Sequence, residues 1–176
     1  MRCAAMLRGI NVSGHRKVSM KELVAMCEDL GFTDVQSYLQ SGNLVLEAGR
    51  SDPGTVATKL KKAIEESFGY ADVDVLLRDA GRLTAIIEAN PFLAEGADPK
   101  TLHVTMLATA AKSTLKDDGS YSPDAFRVTG QDVYLSCPNG YGRTKLNNQF
   151  FERRLSVRAT TRNWRTITSL GELVFS

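Results

Sequence analysis

The sequence has few cysteines and no long apolar run. Its three cysteines, Cys3, Cys27 and Cys137, show no CxxC spacing, and an odd number cannot pair completely within one chain. His15 and His103 are the only histidines that could join them as metal ligands, so no structural zinc site is expected. No apolar stretch approaches the roughly 20 residues that a membrane span needs. The sequence therefore argues against a disulfide-stapled domain, a zinc protein and a membrane protein.

Signals for export and for familiar catalytic chemistry are also missing. The first 17 residues lack the apolar segment and small-residue cleavage site of a signal peptide. Together with the cysteine pattern, this favours a reducing cytoplasm, with the cysteines as small buried apolar residues. There is no GxSxG, no HExxH and no pair of acids at a spacing that suggests general acid–base work. No cofactor is expected, and catalytic residues are not assigned.

The composition is that of a soluble globular protein. Of the 176 residues, 43% are apolar and 24% are charged, which is ordinary for a folded chain. A chain of this length can bury roughly 70% of the surface that its unfolded form exposes, so it can build a stable core without disulfide bonds or a structural metal ion. The length fits one compact domain or two small ones.

The first half predicts alternating strands and helices. A capping box begins at Ser19, and Asp52 followed by Pro53 is typical of a second helix start. Strand-like segments lie at residues 2–8, 35–40, 44–47 and 73–78. The order β-α-β-β-α-β predicts a ferredoxin-like unit, and a further helix follows it.

The second half repeats this pattern without detectable sequence identity. Residues 101–108 alternate as a strand, 110–116 are a short helix candidate, and a hairpin is centred on Gly130 and Gln131. We therefore predict an α+β fold of two tandem ferredoxin-like (βαββαβ) units, each followed by an extra helix. The predicted domains are residues 1–92 and 101–176, with a linker between them.

Three loops contain residues that a fold alone does not require. Residues 8–17, after the first strand, combine two glycines with Arg8, Asn11 and Lys17. A predicted hairpin tip contains Gln40, Ser41 and Asn43. Flexible approaches to helix N-termini suit anions, because free N–H groups point outward there. The simpler interpretations are solvated charges in the first loop and turn geometry in the second.

The third loop, residues 138–146, is rich in glycine and basic residues. Arg143 and Lys145 supply charge, Tyr141 offers a stacking face, and Thr144 could cap the next helix. Further along, Arg162 and Asn163 precede Trp164, the only tryptophan, which could stack on a base or anchor the last helix in the core. Residues 141–168 contain seven Arg or Lys and one acidic residue.

Five of these segments together resemble a known family. They are LRGINV (7–12), YLQSGN (38–43), NPF (90–92), GYGRTKL (140–146) and ATTRNW (159–164). In this order they resemble the domain of unknown function 1697 (DUF1697) family of bacterial proteins, over essentially the whole chain. The resemblance implies a small cytoplasmic α+β protein. It carries no established activity and no catalytic residues.

Our leading hypothesis is a binding module for a phosphate-bearing ligand. A nucleotide is favoured over single-stranded nucleic acid, because no strand shows the exposed aromatics of an RNA-binding sheet. In this hypothesis Arg143, Lys145 and Arg162 contact phosphate, Asn11, Gln40 and Asn43 read polar edges, and Tyr141 stacks. One alternative is an enzyme that acts on a small anionic substrate in a cleft between the units. Another is a structural homodimer, and the sequence leaves a monomer equally open.

Overall fold

The computed structural model describes residues 1–176 and contains eight strands and six α-helices. The strands are β1 (Arg2–Leu7), β2 (Thr33–Tyr38), β3 (Asn43–Glu47), β4 (Val75–Asp79), β5 (Leu102–Leu107), β6 (Ala125–Thr129), β7 (Asp132–Ser136) and β8 (Ala159–Asn163). The α-helices are α1 (Met20–Asp29), α2 (Pro53–Phe68), α3 (Ala80–Glu88), α4 (Pro91–Ala94), α5 (Asn148–Leu155) and α6 (Trp164–Phe175). Short 3-10 turns cover Pro99–Thr101 and Tyr141–Arg143. No helix is long and apolar enough to cross a membrane.

The strands form two four-stranded antiparallel sheets, in a fold that mixes α and β structure. The first sheet has the order β2-β3-β1-β4 and the second the order β6-β7-β5-β8. The chain divides into two compact units, the first comprising Met1–Leu83 and Leu170–Ser176 and the second Thr84–Ser169. These units group residues that contact each other and do not show which segments fold independently. The domains at 1–92 and 101–176 therefore stay a prediction.

Local capping chemistry determines where the helices of the first unit begin. The Ser19 side chain accepts a hydrogen bond from the Glu22 N–H (3.3 Å), and Asp52 accepts one from the Thr55 N–H (3.0 Å). Both acceptors satisfy N–H groups that have no partner inside the helix. The predicted starts of α1 and α2 are confirmed. The apolar faces of these helices join β1 and β3 in one buried core.

The second unit lacks the helix predicted at residues 110–116. The chain passes from β5 to β6 without a helix, and only Ala111 and Leu115 of that segment pack against the core. Seven residues are too few to form a stable helix without strong packing, and Ser113 and Thr114 are weak helix formers. The predicted βαββαβ order is therefore wrong for the second half, whose observed order is β-β-β-α-β.

Despite this difference, equivalent strands of the two sheets pair in the same register. Ala4 of β1 lies opposite Arg78 of β4, and Val104 of β5 lies opposite Arg162 of β8. Equivalent backbone hydrogen bonds of 2.8 Å leave the ends of both central strands, from Leu7 N–H to Gly42 O and from Leu107 N–H to Gln131 O. The second half therefore repeats the sheet of the first half, although it does not repeat its first helix.

The match extends to the junctions between strand and helix. Asp79 accepts a hydrogen bond from the Arg82 N–H at the start of α3 (2.8 Å), and Asn163 accepts one from the Thr166 N–H at the start of α6 (2.8 Å). Asn163 therefore caps the start of α6 in the same way that Asp79 caps the start of α3. Trp164, which follows it, is 6% exposed, as its interpretation as a core residue predicts.

Replacing Asn163 with Ala tests this role. The substitution removes the acceptor at the start of α6, and we expect the free energy of unfolding to fall by about 1 kcal/mol. Asn163→Asp keeps an acceptor and should remain close to wild type. Urea denaturation measures both, and wild-type stability in Asn163→Ala would contradict the capping role.

Candidate functional site

The pairing of β6 with β7 brings two loops to one end of the second sheet. These strands are antiparallel, and Ala125 at the start of β6 lies opposite Ser136 at the end of β7. The segment before β6 and the segment after β7 therefore emerge side by side. We call residues 119–124 the first wall and residues 139–145 the second wall of the groove between them.

Hydrogen bonds within its own loop hold the first wall. The Asp117 carboxylate accepts from the backbone N–H groups of Gly119 (2.9 Å) and Phe126 (3.0 Å). Asp118 accepts from the Ser120 N–H (3.0 Å), and hydrogen bonds from the Ser120 side chain and backbone hold the pKa of Asp118 below its usual value. These side-chain turns preorganise a loop that has no regular secondary structure.

The second wall is fixed by Tyr141. Its ring stacks on the His103 ring of β5, with centroids 4.8 Å apart and planes 23° apart. Burial raises the pKa of Tyr141, against an opposing hydrogen bond with the Thr161 side chain. One face of the Tyr141 ring is thus occupied by the protein. A base could stack only on the opposite face of this ring, and that stacking stays a prediction.

The helix after the second wall begins later than predicted. α5 starts at Asn148, and the Asn147 side chain caps it by accepting from the Phe150 N–H (3.0 Å). Thr144, the predicted cap, accepts instead from the Leu146 N–H (3.1 Å). Gly140 therefore precedes a 3-10 turn and Gly142 lies within it, and neither glycine leads directly into the N-terminus of α5.

The two walls enclose a groove of about 470 Å³. It is lined by Ser120, Tyr121, Ser122, Pro123, Asp124, Asn139, Arg143 and Lys145. The side chains of Arg143 and Lys145 are exposed, and neither makes an ion pair or a hydrogen bond within the protein. Two predicted phosphate ligands therefore line the same groove, and neither forms an ion pair within the protein.

Arg162, the third predicted phosphate ligand, lies within the second sheet. It is 8% exposed, and its guanidinium donates to the Thr160 hydroxyl (2.9 Å) and to the Thr161 carbonyl (3.0 Å). Burial lowers the pKa of Arg162 to about 10. In the first sheet the equivalent Arg78 donates to the Leu77 carbonyl in the same way (2.9 Å). Arg162 thus resembles a repeated element of the sheet more than a ligand contact.

The first two predicted loops come together in the first unit. The Asn11 side chain donates to the carbonyls of Val18 (3.0 Å) and Gln40 (2.7 Å), and its carbonyl oxygen accepts from the Val18 N–H (2.9 Å). Asn11 therefore bridges residues 8–17 and the turn before β3. Both amide donors of Asn11 are already used by the protein. Its role in reading a ligand stays a prediction.

The turn before β3 packs against Ile10 of the first loop. A Cβ atom on Gly42 would lie 2.7 Å from Ile10 Cδ1, and Gly42 has a φ of +79°. Asn43 is fully buried and donates to the Tyr38 carbonyl and the Ser41 hydroxyl (both 2.9 Å). These contacts indicate that Ser41 and Asn43 stabilise the turn.

The remaining predicted residues of the first unit are more accessible. Lys17 and Gln40 are exposed, and Arg8 is half-buried, with its backbone N–H donating to the Asp74 carbonyl (2.8 Å). Within this unit the structure brings two predicted loops together. The third predicted loop belongs to the second unit, where its partner is the first wall.

Sequence reasoning missed the first wall. Residues 119–124 read Gly-Ser-Tyr-Ser-Pro-Asp, a cluster of turn-forming residues just before a strand. That composition predicts a loop but does not indicate a site. The missing information was the register of β6 on β7, which sets Ser120, Ser122 and Asp124 beside the second wall.

Comparison with known proteins places this chain in a family. A family model described as protein of unknown function (DUF1697) matches residues 1–134. The chain belongs to the DUF1697 family. No curated protein matches it. The first wall of this DUF1697 protein lies within the matched residues, and the second wall lies beyond them.

A solved structure supports the fold of this DUF1697 chain. The conserved bacterial protein SP0830 from Streptococcus pneumoniae superimposes with a TM-score of 0.71 at 20% sequence identity. The alignment covers 98% of each chain. At this identity the likeness extends to the fold alone.

Substituting Gly42 tests the close packing of the two loops of the first unit. Gly42→Ala should lose about 1–2 kcal/mol for the left-handed backbone, and about 1–3 kcal/mol more for crowding against Ile10. Gly31→Ala is the matched control, since Gly31 has a φ of +86° and open space around its Cβ position. Denaturant unfolding compares them, and equal losses would contradict the packing argument.

The burial of His103 predicts a pH-dependent stability. Burial lowers the pKa of His103, although the Thr101 carbonyl opposes the shift. Below about pH 6.5 the unfolded chain then binds more protons than the folded one, so the free energy of unfolding should fall as pH drops from 7.5 to 5.5.

Two variants isolate this contribution. His103→Phe keeps a ring for Tyr141 to stack on and should lose less stability over this pH range than wild type. His15→Gln, which changes an exposed histidine, should follow the wild-type profile. Thermal unfolding at each pH measures the difference. An unchanged pH profile in His103→Phe would contradict the assignment.

Proposed function

We propose that the protein binds a phosphate-bearing small molecule in the groove of its second unit. The observation that carries the proposal is that Arg143 and Lys145 line one groove and have no partner in the protein. An arginine can contact phosphate through two parallel hydrogen bonds, and a lysine adds a point charge. The Asn139 amide and the Ser122 hydroxyl add uncharged donors on opposite walls.

The size of the groove favours a small ligand over a polymer. Its volume of about 470 Å³ lies within the roughly 300–1,000 Å³ typical of small-molecule sites. Single-stranded nucleic acid is bound mainly by a row of exposed aromatic rings along a basic surface. Here the Tyr141 ring stacks on His103, and the Tyr121 ring packs edge-on against Phe150 with centroids 5.1 Å apart. We therefore favour a nucleotide or sugar phosphate over single-stranded nucleic acid.

The titration behaviour of nearby groups favours binding over catalysis. Burial raises the pKa of the Cys137 thiol to about 11 and also raises the pKa of Tyr141. Neither group is thereby activated as a nucleophile or base at neutral pH. An enzyme acting on a small anionic substrate remains the alternative function. The hydroxyl of Ser41, which could act as a nucleophile in such an enzyme, accepts a hydrogen bond from the Asn43 side chain in the turn before β3.

Two finer proposals accompany this function. We describe each unit as a variant of the ferredoxin-like arrangement, because the order β2-β3-β1-β4 with two helices supports it in the first unit and the matching register supports it in the second. We also assign the protein to a reducing cytoplasm. The three cysteines are free and buried, which agrees with that assignment.

Isothermal titration calorimetry with ribose 5-phosphate tests the proposed function. Wild type should bind with one site per chain. The variants Arg143→Gln and Lys145→Gln should each weaken binding about tenfold or more, which is the scale of one hydrogen bond to a charged group.

Lys112→Gln is the matched control, because it removes one exposed charge of the same unit outside the groove. It should bind within about twofold of wild type at an ionic strength of about 0.15 M, where exposed charges farther apart than the Debye length of about 8 Å are largely screened. Equal weakening in the control would indicate non-specific attraction of anions. That result, or no binding by wild type, would contradict the proposal.

A further inference from the structure

We propose that Asp124 makes the groove selective for phosphate monoesters that carry hydroxyl groups, such as sugar phosphates and nucleoside monophosphates. In this assignment the carboxylate accepts hydrogen bonds from ligand hydroxyls while Arg143 and Lys145 hold the phosphate. The inference rests on the proposed function, since it specifies the ligand of the same groove.

The first observation concerns the hydrogen bonding of the Asp124 carboxylate. Asp124 lines the groove, and its backbone N–H donates to the Tyr121 carbonyl (2.9 Å), which holds the residue in the first wall. Its Oδ1 atom is buried and has no hydrogen-bond partner in the protein. A buried acceptor without a donor is costly to folding, and more so when it is charged.

The protein donates no hydrogen bond to Oδ1, and a ligand hydroxyl would donate to the carboxylate oxygen that faces the groove. The terminal torsion of an aspartate is soft, so a small rotation about the Cβ–Cγ bond can align that oxygen with a ligand hydroxyl at little cost. An oxygen turned toward the groove would meet whatever the ligand presents beside its phosphate. A hydroxyl group can donate to a carboxylate, whereas the dianion of a phosphate monoester without hydroxyls, such as methyl phosphate, has oxygens that only accept.

The second observation is the charge of the groove. The groove is lined by two cations, Arg143 and Lys145, and by one anion, Asp124, so its net charge is +1. One phosphate monoester can be held by the two cations. A second or third phosphate group would have to lie near the Asp124 carboxylate, and like charges at close range repel each other. The groove therefore disfavours diphosphates and triphosphates.

Wild-type selectivity tests this assignment without any mutation. Ribose 5-phosphate and methyl phosphate are both monoesters with similar phosphate charge, but only the first carries hydroxyls. Calorimetry should find ribose 5-phosphate bound about tenfold more tightly than methyl phosphate, and also more tightly than pyrophosphate.

The variant Asp124→Asn then identifies the residue responsible. It should reduce the preference for ribose 5-phosphate over methyl phosphate to about twofold or less, and it should strengthen the binding of pyrophosphate, since the repelling charge is gone. Asp118→Asn is the matched control in the same loop, because Asp118 does not line the groove. It should keep the wild-type preference. Asp124→Ser, a second variant, should lose the preference in the same way.

The outcomes separate the two proposals. If methyl phosphate and ribose 5-phosphate bind wild type equally well, the role of Asp124 is overturned and the phosphate site stands. If Asp124→Asn keeps the wild-type preference and folds with a normal melting temperature, the role of Asp124 is likewise overturned. If no phosphate compound binds, the proposed function fails, and the assignment of Asp124 fails with it.

Discussion

The antiparallel pairing of β6 with β7 is the constraint on which the candidate site depends. Because Ala125 lies opposite Ser136, the chain must enter β6 and leave β7 at the same end of the second sheet. Two loops that are distant in sequence then become neighbours, and one of them carries Arg143 and Lys145. The hydrogen bonds of Asp117 and the stacking of Tyr141 on His103 hold these loops in place before any ligand arrives. Preorganisation of this kind lowers the entropy cost of binding.

The two units have sheets of the same topology, but the loops at the strand ends differ in role. In the first unit, the loop after β1 packs against the turn before β3 through Asn11 and Gly42, so its polar residues mainly stabilise the fold. The second unit has no helix between β5 and β6. The segment that replaces this helix supplies the first wall of the groove. A departure from the repeated pattern therefore coincides with the groove that we propose as the ligand site.

The sequence predicted the features that depend on a few adjacent residues. It did not predict the features that depend on the pairing of strands distant in the chain. The helix starts at Ser19 and Asp52 follow from capping, which a few adjacent residues determine. The burial of Arg162 could not be predicted, because a buried arginine interrupts the alternation of apolar and polar residues in β8. Its role as a phosphate ligand stays a prediction. Arg143 and Lys145 were identified from their charge. Asp124 was missed, because its place in the groove depends on the register of two strands.

The most direct test of the phosphate site is to map where the ligand binds. In a titration of the isotope-labelled protein with ribose 5-phosphate, followed by the NMR shifts of its backbone amides, saturable changes should concentrate in the two walls, residues 119–124 and 139–145. Little change is expected in residues 8–17 and 39–43 of the first unit. Changes confined to those first-unit loops, or no saturable change in either wall, would contradict the account.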